Sequence, residues 1–559
     1  MNDKTTDYWI KRYDKLNTEW SAYWSNHMQR LADYILPRKA TVRTNKQKGA
    51  DLNDLVYDST AIHANDLLAA RMQASLTPSS NKWFQLRGKF PKQYQEMYGK
   101  DLNDDNEVKK WFDECSDEMF AMINSSNFAT VVHEMFLDLG CFGTSNMSME
   151  GIVNNRGSFD GFKFQSIPIE DYVFSENTDG QVDVVIRKVK KTARQALQRW
   201  DKKKLHHTVL EAIEKEPEKE FQFIHAVFVK EDFDPNTKIK TDKPYGSIVI
   251  DYDNHVLIEE AGYDEFPYMV TRWSKASGEK YGRGPGRTAI DDIKVLNMSK
   301  KLELRAWTKV IDPALMVEHD AVLGQLRITP NSIIYVRDIN RRPVPFEIGS
   351  RWDIGQLKKE ELVSSIKRIF YSDQLQFPEQ EAGDMTAREV MVRYELMQSL
   401  LGSTFGRIVS ECLDPLIERM FSKMERTNMF PDRPAILSDM TDLKIGYTSP
   451  LAMAQKMEEA QAIDAWLASV MPLTQVDPSV MDVVDMKKLV RLKAELIGVP
   501  ASVIRSEDEE KQIGEGRAAM QTQQMKVSQN KEEAETLGKL APFMREADKM
   551  TAPNIGEVA

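Results

Sequence analysis

Apolar positions near the start of the chain recur at the three- and four-residue spacing of one helical face. Tyr13, Leu16, Trp20 and Ile35 belong to this series, and Pro37 ends it. The pattern predicts an amphipathic N-terminal helix, followed by a polar and basic loop over 38–54. The same spacing predicts further helices over 59–76, 106–124 and 128–139.

The pattern changes from helical spacing to strand-like segments between residues 140 and 275. Asn154-Asn155-Arg156-Gly157 is typical of a hairpin turn between 148–153 and 162–165. A short helix over 192–200 interrupts the series. We therefore expect a mainly antiparallel β domain inserted into a helical protein. The other predicted strands are 182–189, 221–229, 247–252, 256–259 and 267–273.

Helical patterning returns after residue 287 and continues, with interruptions, to about residue 496. Pro313 should stop the first helix, and the spacing Thr386 to Glu389 is typical of a capping box that starts a long helix. The fold class expected from the whole pattern is α+β, mainly helical. Short strands are predicted at 314–318 and 332–337, a basic turn at 340–345, and kinks of the long helix at Gly402, Gly406 and Pro415.

A glycine-rich turn precedes the helix that begins the second half of the chain. Three glycines and a proline within five positions cannot continue a helix or a sheet ladder. Thr288 offers a hydroxyl for the N-cap of the helix that follows. We expect the turn to fix the angle at which this helix leaves it. The residues of this structural turn are Gly282, Gly284, Pro285 and Gly286.

Four motifs, which occur along the chain in the family's order, resemble the portal, or head-to-tail connector, family of short-tailed double-stranded DNA bacteriophages. The Tyr-Gly-x-Gly-Pro turn at 281–285 leads into Asp-Ile-Lys-x-Leu-Asn at 292–297. Tyr-Asp-Ser-Thr-Ala at 57–61 precedes it, with Leu-Thr-Pro at 76–78 and Trp-Phe at 83–84. Met-Thr-Ala-x-Glu-Val at 385–390 and Tyr-x-Ser-Pro-Leu-Ala-x-Ala-Gln at 447–455 follow it. Together they extend over roughly residues 57–455.

The resemblance implies a portal fold with a β-rich wing, a two-helix stem, a small α/β clip, a kinked long helix and a helical crown. It divides the chain as follows: the N-terminal helical part of the wing is 1–139, the β-rich wing domain 140–286, the first stem helix 287–311, the clip 312–351, the second stem helix 352–376, the tunnel loop 377–385, the long kinked helix and return to the wing 386–450, the crown 451–505, and a polar C-terminal tail or barrel 506–559.

The function implied is that of a ring, of twelve copies by family likeness, seated at one capsid vertex. Genomic DNA would be packaged and ejected through it. The implied partners are capsid protein, terminase, tail adaptors, and scaffolding or internal core proteins. The ring would assemble in the bacterial host cytoplasm and remain in the virion.

Composition is compatible with such a conduit and adds constraints of its own. The formal net charge of -11 is unlike that of a DNA-coating protein, and an acidic wall would keep DNA from sticking. No apolar run approaches the ~18 residues of a membrane span, and the N-terminus lacks a signal region. Cys115, Cys141 and Cys412 are far apart, which predicts buried thiols in a reducing compartment. The aromatic stripe of Trp9, Trp20 and Trp24 is expected to pack in the core or at a subunit interface.

The sequence contains no recognisable catalytic constellation. The glycine turn lacks the Gly-Lys-Ser/Thr ending of a P-loop, and Asp101-x-Asn103-x-Asp105 lacks the glycine and glutamate of a calcium loop. His133-Glu134 has no second histidine four residues after the first. We therefore expect no enzymatic activity, no cofactor and no metal. The alternatives left open are a nucleic-acid-processing enzyme or motor subunit of a phage, and another shell or scaffold protein.

Charged side chains supply the candidate site residues, in each case against the alternative of a solvated surface. The helix after residue 287 carries a series of cations that could contact phosphates inside a channel. Arg337, Arg341 and Arg342 in the implied clip suit docking to acidic partner surfaces. The candidates for contact with DNA are Lys294, Lys300, Lys301, Arg305, Lys309, Lys367, Arg368, Glu379, Gln380, Glu381 and Asp384.

Overall fold

The structure is a computed structural model, in which the chain forms two compact units. The first contains residues 1–89, 114–432 and 444–452, and the second contains 90–113, 433–443 and 453–559. The residues described are 2–43, 55–80, 82–90, 102–154, 157–233, 239, 241–312, 314–317, 319, 338, 340, 344–345, 352–372, 402–438, 445–448, 450–472, 484–497, 510, 513–517, 520 and 522–523.

The N-terminal region is helical, as predicted, but the first helix is broken near Trp24. Trp9 and Trp20 are buried in the core, while Trp24 stacks obliquely on Tyr281. Pro37 opens a short 3-10 turn, which confirms it as the end of the helical pattern. The helices are α1 (Asn2–Tyr23), α2 (Ser25–Ile35), α3 (Thr60–Leu76), α4 (Asn106–Ser125) and α5 (Phe128–Phe142).

The β region consists of two antiparallel sheets, and the predicted hairpin is confirmed by the antiparallel pairing of the strands on either side of it, β2 and β3. The three-stranded sheet has the order β3-β2-β9, and the five-stranded sheet runs β4-β5-β6-β7-β8. The sequence pattern missed β4 and the second short helix. The strands of these sheets are β2 (Thr144–Val153), β3 (Phe159–Ser166), β4 (Tyr172–Glu176), β5 (Val182–Thr192), β6 (Glu220–Val229), β7 (Tyr245–Asp251), β8 (Val256–Tyr263) and β9 (Tyr268–Arg272). The short strand β1 (Gln85–Gly88) belongs to neither sheet and pairs with residues 445–448.

Two short helices follow β5 and cover one part of the five-stranded sheet. They are α6 (Ala193–Arg199) and α7 (His207–Lys215). The first begins with a capping box in which Thr192 and Gln195 exchange side-chain and backbone hydrogen bonds. Trp200 packs against Phe223 with ring centroids 4.7 Å apart. This cluster gives the sheet an apolar core on that side.

A half-buried histidine lies on the central strand of the five-stranded sheet. The Nδ1 atom of His225 lies 2.7 Å from the Tyr268 hydroxyl, and its Nε2 atom lies 2.9 Å from Oγ of Ser247. Burial, and then the charges of Arg187 and Arg199, lower the pKa of His225 to about 3. The imidazole is therefore neutral in the folded protein at neutral pH.

We expect His225 to make the protein acid-sensitive. Below about pH 6.5 the unfolded chain binds a proton that folded His225 does not, so unfolding becomes easier by up to about 1.4 kcal/mol per pH unit. Between pH 7 and pH 4.5, the melting temperature of His225→Gln should therefore fall less than that of the parent protein. His207→Gln, at an exposed position, is the matched control. Identical pH profiles for all three proteins would contradict this assignment.

Two helices after the sheets form an antiparallel pair, α8 (Pro285–Ile311) and α9 (Trp352–Ile369). The prediction of Thr288 as N-cap is wrong: Gly284 is the N-cap, because Pro285 already occupies the first helical position. Between the helices, β10 (Leu315–Met316) pairs with β11 (Val344–Pro345). The second of these strands lies where a turn was predicted.

The predicted long helix is interrupted by a π-helical turn, Val409–Leu413, directly before Pro415. Gly402 and Gly406 lie in the helical turns directly before it, and the kinks expected at the two glycines stay predictions. The capping box at 386–389 lies outside the described residues. The later elements are α10 (Asp414–Arg426), α11 (Ala435–Ser438), β12 (Ile445–Thr448), α12 (Pro450–Val470) and α13 (Met486–Ile497).

Within the second unit, ion pairs connect helices that are far apart in sequence. Lys493 of α13 pairs with Asp464 of α12, and Arg491 pairs with Glu510 at 2.6 Å. In the part of the chain that the structure describes, no helix is both long enough and apolar enough to cross a membrane.

Candidate nucleic-acid interface and its anchors

The glycine turn is fixed by close backbone packing against the junction of α5 and β2. A Cβ atom on Gly282 would lie 2.2 Å from the carbonyl oxygen of Gly143, and one on Gly286 would lie 2.5 Å from that of Cys141. The Gly282 N–H donates to Oγ1 of buried Thr144 at 2.7 Å. Only glycine permits this approach. The turn therefore sets the direction of α8 by contact as well as by its own stiffness.

A buried asparagine fixes α8 at a second point. Oδ1 of Asn297 accepts hydrogen bonds from the backbone N–H groups of Tyr57 and Asp58, at 2.6 and 3.2 Å. Its Nδ2 donates to the carbonyl of Leu55 at 2.7 Å. Two of the motifs read from the sequence thus meet in space. Together with the glycine turn, Asn297 anchors the N-terminal half of α8.

The side of α8 that faces α9 is held by polar contacts. Ser365 donates to Oδ2 of Asp292 at 2.7 Å, and Lys359 donates to Oε2 of Glu303 at 2.7 Å. At about 100° per residue, these two carboxylates lie roughly 150° around the helix from Arg305. The opposite side of α8 is half-buried in its N-terminal part and becomes exposed at Arg305 and Lys309.

That opposite side carries a series of cations, which we call the cationic strip. At about 100° per residue its five members fall within an arc of about 80°. Lys294 lies 3.7 Å from Asp291, and the Lys301 ammonium lies 5.0 Å from the ring centroid of Tyr57. Arg305 and Lys309 are exposed and form no ion pair with any described residue. The strip consists of Arg287, Lys294, Lys301, Arg305 and Lys309.

The structure separates other predicted site residues from the strip. Lys300 lies about 140° around the helix from the strip centre and pairs with Glu303 at 3.5 Å. Lys367 of α9 lines a cavity of about 490 Å³ beside α3. Arg368 is exposed on α9. The following predicted residues lie outside the described residues: Arg337, Arg341, Arg342, Glu379, Gln380, Glu381 and Asp384.

Sequence reasoning missed the N-terminal end of the strip. Arg287 stacks its guanidinium over Trp24, with 5.4 Å to the ring centroid. Burial, followed by the charges of Arg287, Arg30 and Lys294, lowers the pKa of His27 to about 4. The seven-residue interval 287–294–301 could have revealed Arg287. No sequence pattern predicts that Arg30, on α2, lies near Arg287 and Lys294.

A buried arginine ties the sheets to the π-helical turn. The Arg272 side chain, 3% exposed, donates through Nη2 to Oε1 of Glu411 at 2.7 Å, and its backbone N–H donates to Oε2 of that residue at 2.8 Å. It also pairs with Glu176, whose second oxygen accepts from Lys275 at 2.6 Å. Nη2 reaches the carbonyl of Gly180 at 3.1 Å. One guanidinium thus joins β9, the β4–β5 hairpin and the interrupted helix.

The described residues bring no chemistry-bearing cluster together apart from these structural networks. No group of three or more metal-ligating side chains occurs among them. Cys115, Cys141 and Cys412 are buried and form no disulfide, as the sequence predicts. His133 bonds to Gln73 at 3.1 Å as an ordinary packing residue.

These features define an α+β protein whose candidate site is the cationic strip on a helix, α8, that is fixed at two points. Comparison with known proteins then gives the family. The family described as "Bacteriophage head to tail connecting protein" matches residues 6–504. The chain therefore belongs to the bacteriophage head-to-tail connecting proteins. The resemblance drawn from the four motifs is confirmed, and so is the function of a phage head-to-tail connector that it implied.

Two curated relatives are similar over nearly their whole length. The "Probable portal protein" of Bordetella phage BPP-1 is 25% identical over 542 residues, 95% of this chain and 94% of the relative. The "Portal protein" of Salmonella phage epsilon15 is 25% identical over 519 residues, 91% and 90% of the two chains. Among solved structures, a chain titled "Virion of native gene transfer agent (GTA) particle" aligns at 10% identity with a TM-score of 0.30, covering 73% of this chain and 86% of that chain. That likeness carries no structural argument.

Proposed function

We propose that this chain forms a ring at one capsid vertex, with α8 and α9 as the stem and the cationic strip facing a channel for double-stranded DNA. The observation that carries the proposal is the double anchoring of α8, by the glycine turn and by Asn297. Every copy would then present the strip at the same angle. The mechanism is geometric and electrostatic, with no bond chemistry of the chain's own.

The remaining assignments follow from family membership and stay proposals. The β-rich region 140–286 would form the wing, 312–351 the clip, 377–385 the tunnel loop and 451–505 the crown. Terminase would dock during packaging, and tail adaptors afterwards, on the clip with Arg337, Arg341 and Arg342. Capsid protein and scaffolding or internal core proteins would surround the wing and crown. Family likeness suggests twelve copies.

The strip is expected to attract DNA into an otherwise acidic ring without holding it. Exposed cations at the wall raise the local concentration of a polyanion, and their effect is screened by salt. The net charge of -11 limits tight binding elsewhere. Arg305 and Lys309 are the best probes, because neither is held in an ion pair with any residue that the structure describes.

Reversing both charges with Arg305→Glu and Lys309→Glu should slow the start of DNA packaging by roughly tenfold. Purified procapsids that carry the variant ring, terminase and ATP would be mixed with DNA, and the DNase-protected DNA would be followed in time. The matched control reverses two exposed cations of α9, with Lys358→Glu and Arg368→Glu. Equal rates for both doubly substituted rings, with ring mass unchanged, would overturn the assignment of the strip to the channel.

A further inference from the structure

Two opposite sides of α8 carry large apolar side chains that the chain itself leaves uncovered. One side, flank one, consists of Val295, Met298 and Leu302. The other, flank two, consists of Leu304, Trp307 and Ile311. Each of these six side chains is between 45% and 79% exposed. Soluble monomers rarely leave a contiguous apolar area above a few hundred Å² exposed, and larger ones mark contact surfaces.

The flanks lie on opposite sides of the helix and differ from each other. Each residue of flank one has its counterpart nine positions later in flank two, and nine residues turn a helix by about 900°, or two and a half turns. The charges next to the flanks follow the same offset, since Asp291 borders flank one and Lys300 borders flank two. A contact of flank one with flank two is heterologous, so it joins each copy head to tail to the next and can close into a ring.

We propose that flank one of each copy packs against flank two of the neighbouring copy. Val295, Met298 and Leu302 would then contact Leu304, Trp307 and Ile311, and Asp291 would face Lys300 across the contact. This inference rests on the proposed ring, and it adds which residues contact the neighbour. The side toward α9 lies between the two flanks, and the strip lies across the helix from it and overlaps flank one, because Met298 falls within the arc of the strip. Lys294, Lys301 and Arg305 would then face the channel when α9 faces outward. Three side chains per flank bury far less than the roughly 800 Å² per partner of a stable pair, which argues against an isolated dimer through this contact.

The nine-residue offset also sets the inclination of the helix. Nine residues rise about 13.5 Å along the axis. With neighbouring helices about 9 Å apart, corresponding residues meet when the helices are inclined by about 55° to the ring axis. Helices parallel to the ring axis would instead place each residue beside the same residue of the neighbouring copy.

Cysteine cross-linking tests both the contact and its offset. The double variant Val295→Cys and Leu304→Cys should give disulfide-linked ladders, up to a closed ring, under mild oxidation. The native thiols are buried and should not contribute. Each single variant should stay monomeric on a non-reducing gel, because the two flanks differ. Val295→Cys with Ile311→Cys is the matched control, in which the offset of sixteen residues separates the thiols by about 10 Å more along the helix than the offset of nine.

Mass photometry of the same samples separates the two possible failures. Rings that give ladders only in the first double variant support the contact. Rings without cross-links, or ladders from a single variant, overturn the contact and leave the proposed ring intact. If the unsubstituted chain forms no ring under assembly conditions, the proposed function fails with it.

Discussion

Replacing Arg272 with methionine should lower the free energy of unfolding by about 3 to 5 kcal/mol, because it leaves Glu176 and Glu411 without their shared cation. Both carboxylates are largely buried, with side-chain exposures of 12% and 18%. Methionine keeps most of the side-chain volume, so the loss reflects the missing charge and hydrogen bonds. The backbone N–H of residue 272 still reaches Glu411, which should keep the strand in place while the π-helical turn loosens.

The effect would be measured as the apparent melting temperature, with amide hydrogen exchange over 402–426 as the local readout. Faster exchange should be concentrated at Val409–Leu413. Arg283→Met is the matched control, because Arg283 forms a largely exposed ion pair with Glu279 of the kind worth at most about 1 kcal/mol. Similar losses for both variants, or unchanged exchange at the π-helical turn, would contradict the proposed role of Arg272 as a link between the sheets and the long helix.

Gly143→Ala should destabilise the protein by roughly 4 kcal/mol or more, among the largest effects of any single substitution. Gly143 has a φ of 77°, and an added Cβ would lie 2.2 Å from the backbone nitrogen of Gly284. The clash involves backbone on both sides, so no side chain can move to relieve it. The glycine turn and the start of α8 would have to shift.

Gly278→Ala is the control that distinguishes the cost of the steric clash from the cost of the left-handed backbone conformation. Gly278 has a φ of 81°, but no atom lies within 4 Å of its added Cβ. It should cost only about 1 kcal/mol, the ordinary penalty of a left-handed residue. Soluble yield and apparent melting temperature would be compared for the two variants. Equal melting temperatures for the two alanine variants would show that the close approach of the two glycine segments does not contribute to stability.

Local patterning predicted most of the elements of the fold but not the contacts between them. The spacing of apolar residues indicated α3, α4, α5 and a single helix where the structure has α1 and α2, because helix and strand periods are properties of short segments. It missed β4, whose five residues Tyr172–Glu176 are too few to show a clear alternation. It also misplaced the N-cap of α8, since Thr288 and Gly284 are both plausible caps and only tertiary packing selects between them.

The site was only partly predictable for the same reason. Lysines and arginines of α8 are visible in the sequence, but which of them share a face follows from helix geometry, and which face is free follows from α9. In the sequence, Asn297 is only the last residue of a motif. Its hydrogen bond with Tyr57 joins positions 240 residues apart, so local patterning could not predict it. Arg272 gave no sequence signal at all, because its partners come from three distant segments.

The most direct test of the proposed ring is imaging of the purified chain by negative stain together with its mass in solution. We expect annular particles with a central opening and a mass that is an integer multiple of 64.2 kDa. Twelve copies would give 12 × 64.2, or about 770 kDa. Compact particles without an opening, or closed two-fold dimers, would contradict both the ring and the head-to-tail contact of α8.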